Sequence, residues 1–157
     1  MNVFELVRII AITILGCILM FAVQPWLYQS QTLFLADVAP EAWVADEYMP
    51  GAYLVAAVSI IGTLLWYFCS SGARILTSQD TSRWRLFWWI VFLMPLLSIG
   101  GALYFFNKSR DALLSVAFLY VFDIFFLFWL PTATSSPAPT KFLPPGAFVL
   151  RRLSEPS

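Results

Sequence analysis

Long apolar segments alternate with short polar ones along the chain. Four apolar stretches cover about residues 3–24, 51–69, 86–106 and 112–130. Each is close to the ~20 residues that a helix needs to cross ~30 Å of hydrocarbon. Backbone groups inside a bilayer must pair within their own segment, and a helix achieves this. The pattern therefore predicts an all-α integral membrane protein with four transmembrane helices in an up-and-down bundle.

Prolines stand at informative places in this pattern. Pro50 lies where a first-turn proline is tolerated, and Pro131 directly follows the fourth stretch, which it is predicted to end. Pro95 lies inside the third stretch and removes a backbone donor there. We therefore predict a kink in helix three.

Composition supports the membrane interpretation. The chain is 61% hydrophobic and 11% charged, whereas soluble domains carry about 25% charged residues. The lipid bilayer is thus the first predicted partner, in an inner, plasma or other energy-transducing membrane. Net charge is zero and no basic block occurs, which argues against a nucleic-acid partner.

The distribution of lysine and arginine predicts the orientation, because positively charged loops resist translocation. With the N-terminus inside, seven basic residues would be cytoplasmic and two external. The favoured topology is therefore N-in and C-in. The seven are Arg8, Arg74, Arg83, Arg85, Lys141, Arg151 and Arg152, and the two are Lys108 and Arg110.

The segment 29–49 mixes acidic and large apolar residues and would be an outer loop. We expect it to rest on the membrane surface, with a short helix that starts near Pro40.

The bundle is predicted to end at residue 130, and 131–157 to form a short flexible cytoplasmic tail. This tail opens with a Pro/Ser/Thr spacer that cannot build a core and ends in an apolar and basic segment. That segment would either fold back on anionic headgroups or dock onto a larger partner. The candidate docking residues are Phe142, Leu143, Phe148, Arg151 and Arg152.

The inventory of reactive side chains is small. The chain has no histidine and two cysteines, and no glycine-rich phosphate loop appears in it. We therefore expect no enzymatic activity, no cofactor and no metal site.

Asp123 is the most informative single residue, since an acid within a transmembrane stretch usually faces the bundle and is paired. We predict an ion pair with Arg8 of helix one, for which Glu5 competes. Two alternatives stay open. In one, Arg8 extends to the headgroups and Asp123 is neutral or pairs with Thr13 or Ser115. In the other, Asp123 is a proton or cation site.

Small residues predict where helices approach closely. Stripes of them occur on helices two and three, which we expect to pack together there. Helix four is rich in phenylalanine and should face lipid, pigment or another subunit. The packing candidates are Ala52, Ala56, Ser59, Gly62, Ser98 and Gly101.

Two functions are compatible with these patterns. The first is a non-enzymatic accessory or assembly subunit that binds other membrane protein subunits through helix four and the tail. The second is a small homo-oligomeric channel, transporter or membrane-perturbing effector that uses Asp123.

Overall fold

The fold is helical, as the apolar pattern predicts. In the computed structural model the described residues are 3–33, 39–108 and 112–154, with side chains to residue 150. These parts of the chain contain no strand. Four of their helices are long and apolar enough to cross a membrane, which confirms the predicted number of membrane-length helices. They are α1 (Val3–Gln29), α2 (Pro40–Ser71), α3 (Ser78–Phe106) and α4 (Leu113–Ser135).

Two short elements follow α4. They are a 3₁₀ turn at Ala138–Thr140 and the helix α5 (Ala147–Ser154).

The long helix α3 begins with a reciprocal cap at Thr77. The Thr77 hydroxyl accepts a hydrogen bond from the Asp80 amide, and the Asp80 carboxylate accepts one from the Thr77 amide. This cap moves the start of α3 eight residues before the predicted residue 86.

The long helices run through prolines that the sequence had suggested as boundaries. Pro50 does not begin the second helix and Pro131 does not end the fourth. A π-helical turn precedes each of Pro25, Pro50 and Pro131, and such a wider turn gives the pyrrolidine ring room inside a continuous helix. In each case the residue before the proline donates its amide to the carbonyl five residues earlier: Gln24 to Leu19, Met49 to Val44, and Leu130 to Phe125.

Hydroxyl groups of neighbouring helices pair with carbonyls near these prolines. A proline cannot donate to the carbonyls four and five residues before it. The Tyr48 hydroxyl of α2 donates to the Met20 carbonyl of α1 over 2.9 Å. The Thr63 hydroxyl of α2 donates to the Leu127 carbonyl of α4 over 2.7 Å. Two of the proline sites are therefore also joints between helices.

Helices α1 and α4 run antiparallel. Near the start of α1, Arg8 donates from Nη1 to the carbonyl of Thr134, close to the end of α4, over 3.0 Å. At the opposite end, the hydroxyls of Tyr28 and Ser115 lie 2.9 Å apart. We refer below to the Arg8 end and the Tyr28 end of the bundle.

Small residues of α2 are buried against two helices. A Cβ atom added at Gly62 would lie 3.2 Å from the Phe128 ring of α4 and 3.6 Å from Val91 of α3. One added at Gly101 of α3 would lie 3.7 Å from Leu54 of α2. The α2 stripe thus contacts α4 as well as the predicted α3. Its other members Ala52, Ala56 and Ser59 are buried, as is Ser98 of α3.

The segment predicted as an outer loop is largely part of α2. A helix does start at Pro40, but it continues without a break into the membrane-length segment. Trp43 and Tyr48 are buried in the core. The expectation that residues 40–49 rest on the membrane surface is therefore wrong, because these aromatic rings pack inside the bundle.

The spacer predicted from residue 131 is packed at the Arg8 end. Two buried tryptophans hold it: Trp88 donates from Nε1 to the Thr132 hydroxyl over 3.2 Å, and Trp66 donates to the Ser136 hydroxyl over 2.8 Å. Thr140 is also buried. The prediction of a flexible spacer is therefore wrong for residues 131–136, because the hydroxyl groups of this segment are hydrogen-bonded to the bundle.

Candidate functional site

Asp123 lies in the interior of the bundle, two residues before the π turn Phe125–Trp129 of α4. It is 1% exposed. Its Oδ1 accepts a 2.6 Å hydrogen bond from Nε2 of Gln24 in α1. Its Oδ2 has no hydrogen-bond partner in the described part of the chain. The carboxyl group therefore keeps one oxygen open to a proton or a ligand.

Gln24 connects this carboxyl group to a second helix. Its Oε1 accepts a 2.6 Å hydrogen bond from the Tyr48 hydroxyl of α2, which shares its single proton between this oxygen and the Met20 carbonyl. The backbone carbonyl of Tyr48 in turn accepts from the Tyr120 hydroxyl of α4 over 2.9 Å. The two sides of the Gln24 amide are thus both used, and α1, α2 and α4 meet at one polar cluster.

Aromatic rings surround this cluster on the side of the Tyr28 end. The ring centroid of Tyr28 lies 4.6 Å from that of Trp43 and 6.1 Å from that of Tyr48. The Tyr48 and Tyr120 centroids are 5.7 Å apart. All four rings are buried. Hydrogen bonds in such an apolar enclosure are electrostatically stronger than in water, and an unpaired group is correspondingly costly.

The structure does not bring the predicted ion pair together. Arg8 donates to Thr134, and Asp123 accepts from Gln24. Because Gln24 is 16 residues after Arg8 in α1, the two sites lie about 24 Å apart along the helix axis. The sequence predicts similar depths for the two residues, but Arg8 lies beside Thr134, eleven residues after Asp123, and α4 continues past the predicted end at residue 130 to Ser135.

The other predicted partners of this site are also engaged elsewhere. Glu5 lies at the Arg8 end, where its Oε2 is 3.5 Å from the Tyr67 hydroxyl. Ser115 pairs with Tyr28 and with the Ala112 carbonyl. Neither residue is part of the Asp123 cluster.

Sequence reasoning missed Gln24 and Tyr48. The first apolar stretch ends at residue 24, so Gln24 stands at its predicted border, and Tyr48 falls in the predicted outer loop 29–49. A signal was available: Gln24 lies next to an apolar run with a proline behind it, and a helix that passed through Pro25 would have placed the amide inside the bundle. Within the described ranges no group of three acidic or cysteine side chains could hold a metal ion.

A second candidate site lies at the Arg8 end, on the tail. Phe142 and Phe148 are 53% and 59% exposed, and their ring centroids are 6.1 Å apart. Leu143 is buried in the core beneath them. They border a groove of about 300 Å³, the tail groove, lined by Arg85, Trp89, Phe142, Leu143, Pro144, Pro145, Gly146 and Phe148.

The tail groove has a fixed position on the bundle. Gly146 has a φ angle of +79°, which favours glycine. A Cβ atom there would also lie 2.8 Å from the Trp129 ring of α4. This turn leads into α5, which contains the predicted docking residues Arg151 and Arg152. The side chains of these two arginines lie outside the described residues.

No family model matches the chain, and no curated protein or solved structure is significantly similar to it.

Proposed function

We propose that the chain is a non-enzymatic, multi-pass membrane protein that acts as an accessory or assembly subunit of a larger membrane complex. The observation that carries this proposal is the tail groove. It combines two exposed phenylalanines with a position fixed by the contact of Gly146 and Trp129. Exposed aromatic residues beside a pocket are typical of the anchor points of protein interfaces.

The chemistry of the tail groove favours a partner segment with apolar and acidic side chains. Arg85 lines the groove, and the Lys141 ammonium lies 5.0 Å from the centroid of the Phe142 ring. Basic groups at the rim of an apolar patch attract and orient an acidic partner. With the N-in and C-in orientation that the basic residues favour, the groove is on the cytoplasmic side.

The Asp123 cluster supports the same function in a different way. Both sides of the Gln24 amide are occupied by Asp123 and Tyr48. The cluster therefore joins three helices of the bundle that carries the tail. The exposed phenylalanines of α4, Phe118, Phe122 and Phe125, offer an intramembrane surface to the same partner or to lipid.

Gentle detergent extraction from the native host, followed by particle sizing and mass spectrometry, tests this proposal. We expect a stoichiometric membrane protein complex with the natural chain. The double variant Phe142→Ala/Phe148→Ala should lose the partner. The matched control Phe68→Ala/Phe105→Ala removes two rings that are 57% and 69% exposed and lie outside the tail groove, and it should keep the partner. A clean homo-oligomer of the natural chain would contradict the accessory role.

A second candidate function is transport by a homo-oligomer. The observation that favours it is the Asp123 Oδ2 atom, which is buried without a partner among the described residues. Intramembrane acids of this kind are common at ion pathways. Proton or cation flux into proteoliposomes that contain the pure protein, abolished by Asp123→Asn, would support this function. Equal flux with the natural chain and with Asp123→Asn would show that Asp123 takes no part in transport.

A further inference from the structure

A second cleft lies at the Arg8 end, between the end of α2 and the start of α3. Its volume is about 500 Å³, and it is lined by Cys69, Asp80, Arg83, Trp84 and Phe87. This volume is within the range of small-molecule sites, roughly 300–1,000 Å³. Neither the tail groove nor the Asp123 cluster shares a residue with it.

The cleft changes from polar to apolar along one face of α3. The α3 residues of the cleft share one face of the helix, because three of them lie three, four and seven residues after Asp80. These three are Arg83, Trp84 and Phe87. From Asp80 to Phe87 this face extends about 10 Å toward the middle of the bundle. The charged residues come first and the aromatic residues follow. A phospholipid at the membrane boundary has the same order of headgroup and chains.

The apolar wall is already formed. The Trp66 and Trp84 ring centroids are 6.3 Å apart with their planes at 79°, and those of Trp84 and Phe87 are 5.6 Å apart at 88°. Trp66 is buried and anchored through its hydrogen bond to Ser136. A ligand that lies on Trp84 and Phe87 therefore meets rings held by their neighbours.

The polar end presents one acid and one base. Asp80 receives hydrogen bonds from the Leu76 amide and from the amide and hydroxyl of Thr77, all on Oδ2. These three bonds fix its position through Oδ2 and do not use Oδ1. Arg83 is exposed one turn later and interacts electrostatically with Asp80. Opposite charges at this spacing suit a zwitterionic headgroup.

We propose that this cleft binds a glycerophospholipid with a primary amine in its headgroup. The phosphate pairs with Arg83, the ammonium donates to Asp80, and the first methylenes of the chain lie on Trp84 and Phe87. Guanidinium groups bind phosphate through charge-assisted hydrogen bonds, and tryptophan is favoured at the membrane boundary.

Native mass spectrometry of the full chain from mixed nanodiscs tests the site. The discs contain equal amounts of phosphatidylethanolamine, phosphatidylglycerol and phosphatidylcholine. We expect about tenfold more of the ethanolamine lipid than of either other lipid to stay bound to the protein. This ratio corresponds to the free energy of one charge-assisted hydrogen bond. Phosphatidylcholine has no N–H to donate and phosphatidylglycerol has no ammonium, so equal retention of all three would overturn the proposal.

Variants separate the two ends of the headgroup. Arg83→Gln should lower retention of every phospholipid in the cleft, and Asp80→Asn should remove the preference for ethanolamine while an amide oxygen preserves the helix cap. Arg74→Gln, an exposed arginine in the same connection, is the matched control and should change nothing. An equal loss with Arg74→Gln would show general attraction to basic charge and would overturn the site.

A soluble competitor distinguishes a lipid from its headgroup alone. Glycerophosphoethanolamine has the same polar groups without chains, so it should not displace the bound lipid at equal concentration. Displacement by this compound would show that the aromatic wall contributes nothing, and the assignment to a lipid would fall.

Discussion

Gln24 is the residue on which the interior of the bundle depends most. It donates to Asp123 and accepts from Tyr48, so a single amide satisfies two buried groups on two other helices. An amide suits this position because it is at once a donor and an acceptor. A lysine or a glutamate could satisfy one neighbour but not both.

Gln24→Leu should therefore lower the free energy of unfolding by about 1–3 kcal/mol, because it leaves the buried Asp123 carboxyl group without its donor, whereas the Tyr48 hydroxyl keeps the Met20 carbonyl. Unfolding in mixed detergent micelles, followed by circular dichroism, measures this change. The double variant Gln24→Leu/Asp123→Leu should recover part of the loss, since it removes the unpaired carboxyl group as well. Additive losses would show that the two side chains do not interact.

Asp123→Asn provides a milder change at the same place. The asparagine carbonyl oxygen can still accept from Gln24, so we expect a loss below about 1 kcal/mol. Asp123→Ala removes the acceptor and should cost more in the same unfolding assay. A loss for asparagine as large as that for alanine would mean that the charge or acid proton of Asp123, and not the acceptor, supports the fold.

At the scale of the elements, the π turn before a proline is the recurring device of this fold. It occurs in α1, α2 and α4. In two of these helices a hydroxyl from α2 reaches a carbonyl near the turn. Hydropathy shows where an apolar helix lies, but it does not show whether a proline ends the helix or is accommodated within it.

The Thr63 joint can be tested against Pro131. Thr63→Val should destabilise the natural chain by about 0.6–1.7 kcal/mol, the range of interhelical hydrogen bonds in membranes. Pro131→Ala restores an amide that can pair with the Leu127 carbonyl, so the cost of Thr63→Val should fall in that background. Unfolding of the four proteins in micelles gives the coupling energy. A coupling of zero would contradict the joint.

The turn at Gly146 fixes the tail and can be tested by proteolysis. In Gly146→Ala, the new Cβ atom would clash with the Trp129 ring, and the positive φ angle at this position is unfavourable for alanine. The tail should therefore detach from the bundle, and trypsin should cleave faster after Lys141. Gly72→Ala is the matched control, because no atom lies within 4 Å of its added Cβ. Equal cleavage of both variants would show that Gly146 does not hold the tail.

At the scale of the whole molecule, sequence predicted the class of fold better than its internal contacts. The four apolar stretches were enough to identify four long helices, because length and hydropathy determine them directly. The contacts of Asp123 were missed, since they depend on α1 and α4 passing through Pro25 and Pro131, and hydropathy does not show this. Ending α4 five residues early shifted the expected depth of Asp123 by about 8 Å, which was one part of the error that assigned it to the wrong partner.

The proposed N-in and C-in orientation has its own test. Cys69 is exposed near the Arg8 end, so in intact cells it should resist a membrane-impermeant maleimide until the cells are permeabilised. Ser30→Cys, in a Cys17→Ser/Cys69→Ser background, places the thiol near the Tyr28 end and should react at once. The reverse order of labelling would invert the orientation and move the tail groove to the outside.

The proposed accessory role requires that the tail groove bind another membrane protein subunit. The most direct measurement is photocrosslinking in native membranes, with a benzoylphenylalanine placed at Phe148 and, as the matched control, at the exposed Phe105 near the opposite end. We expect Phe148 to give one discrete crosslink to a different membrane protein, and Phe105 not to give it. Crosslinks from Phe148 only to lipid or to a second copy of the chain would contradict the claim.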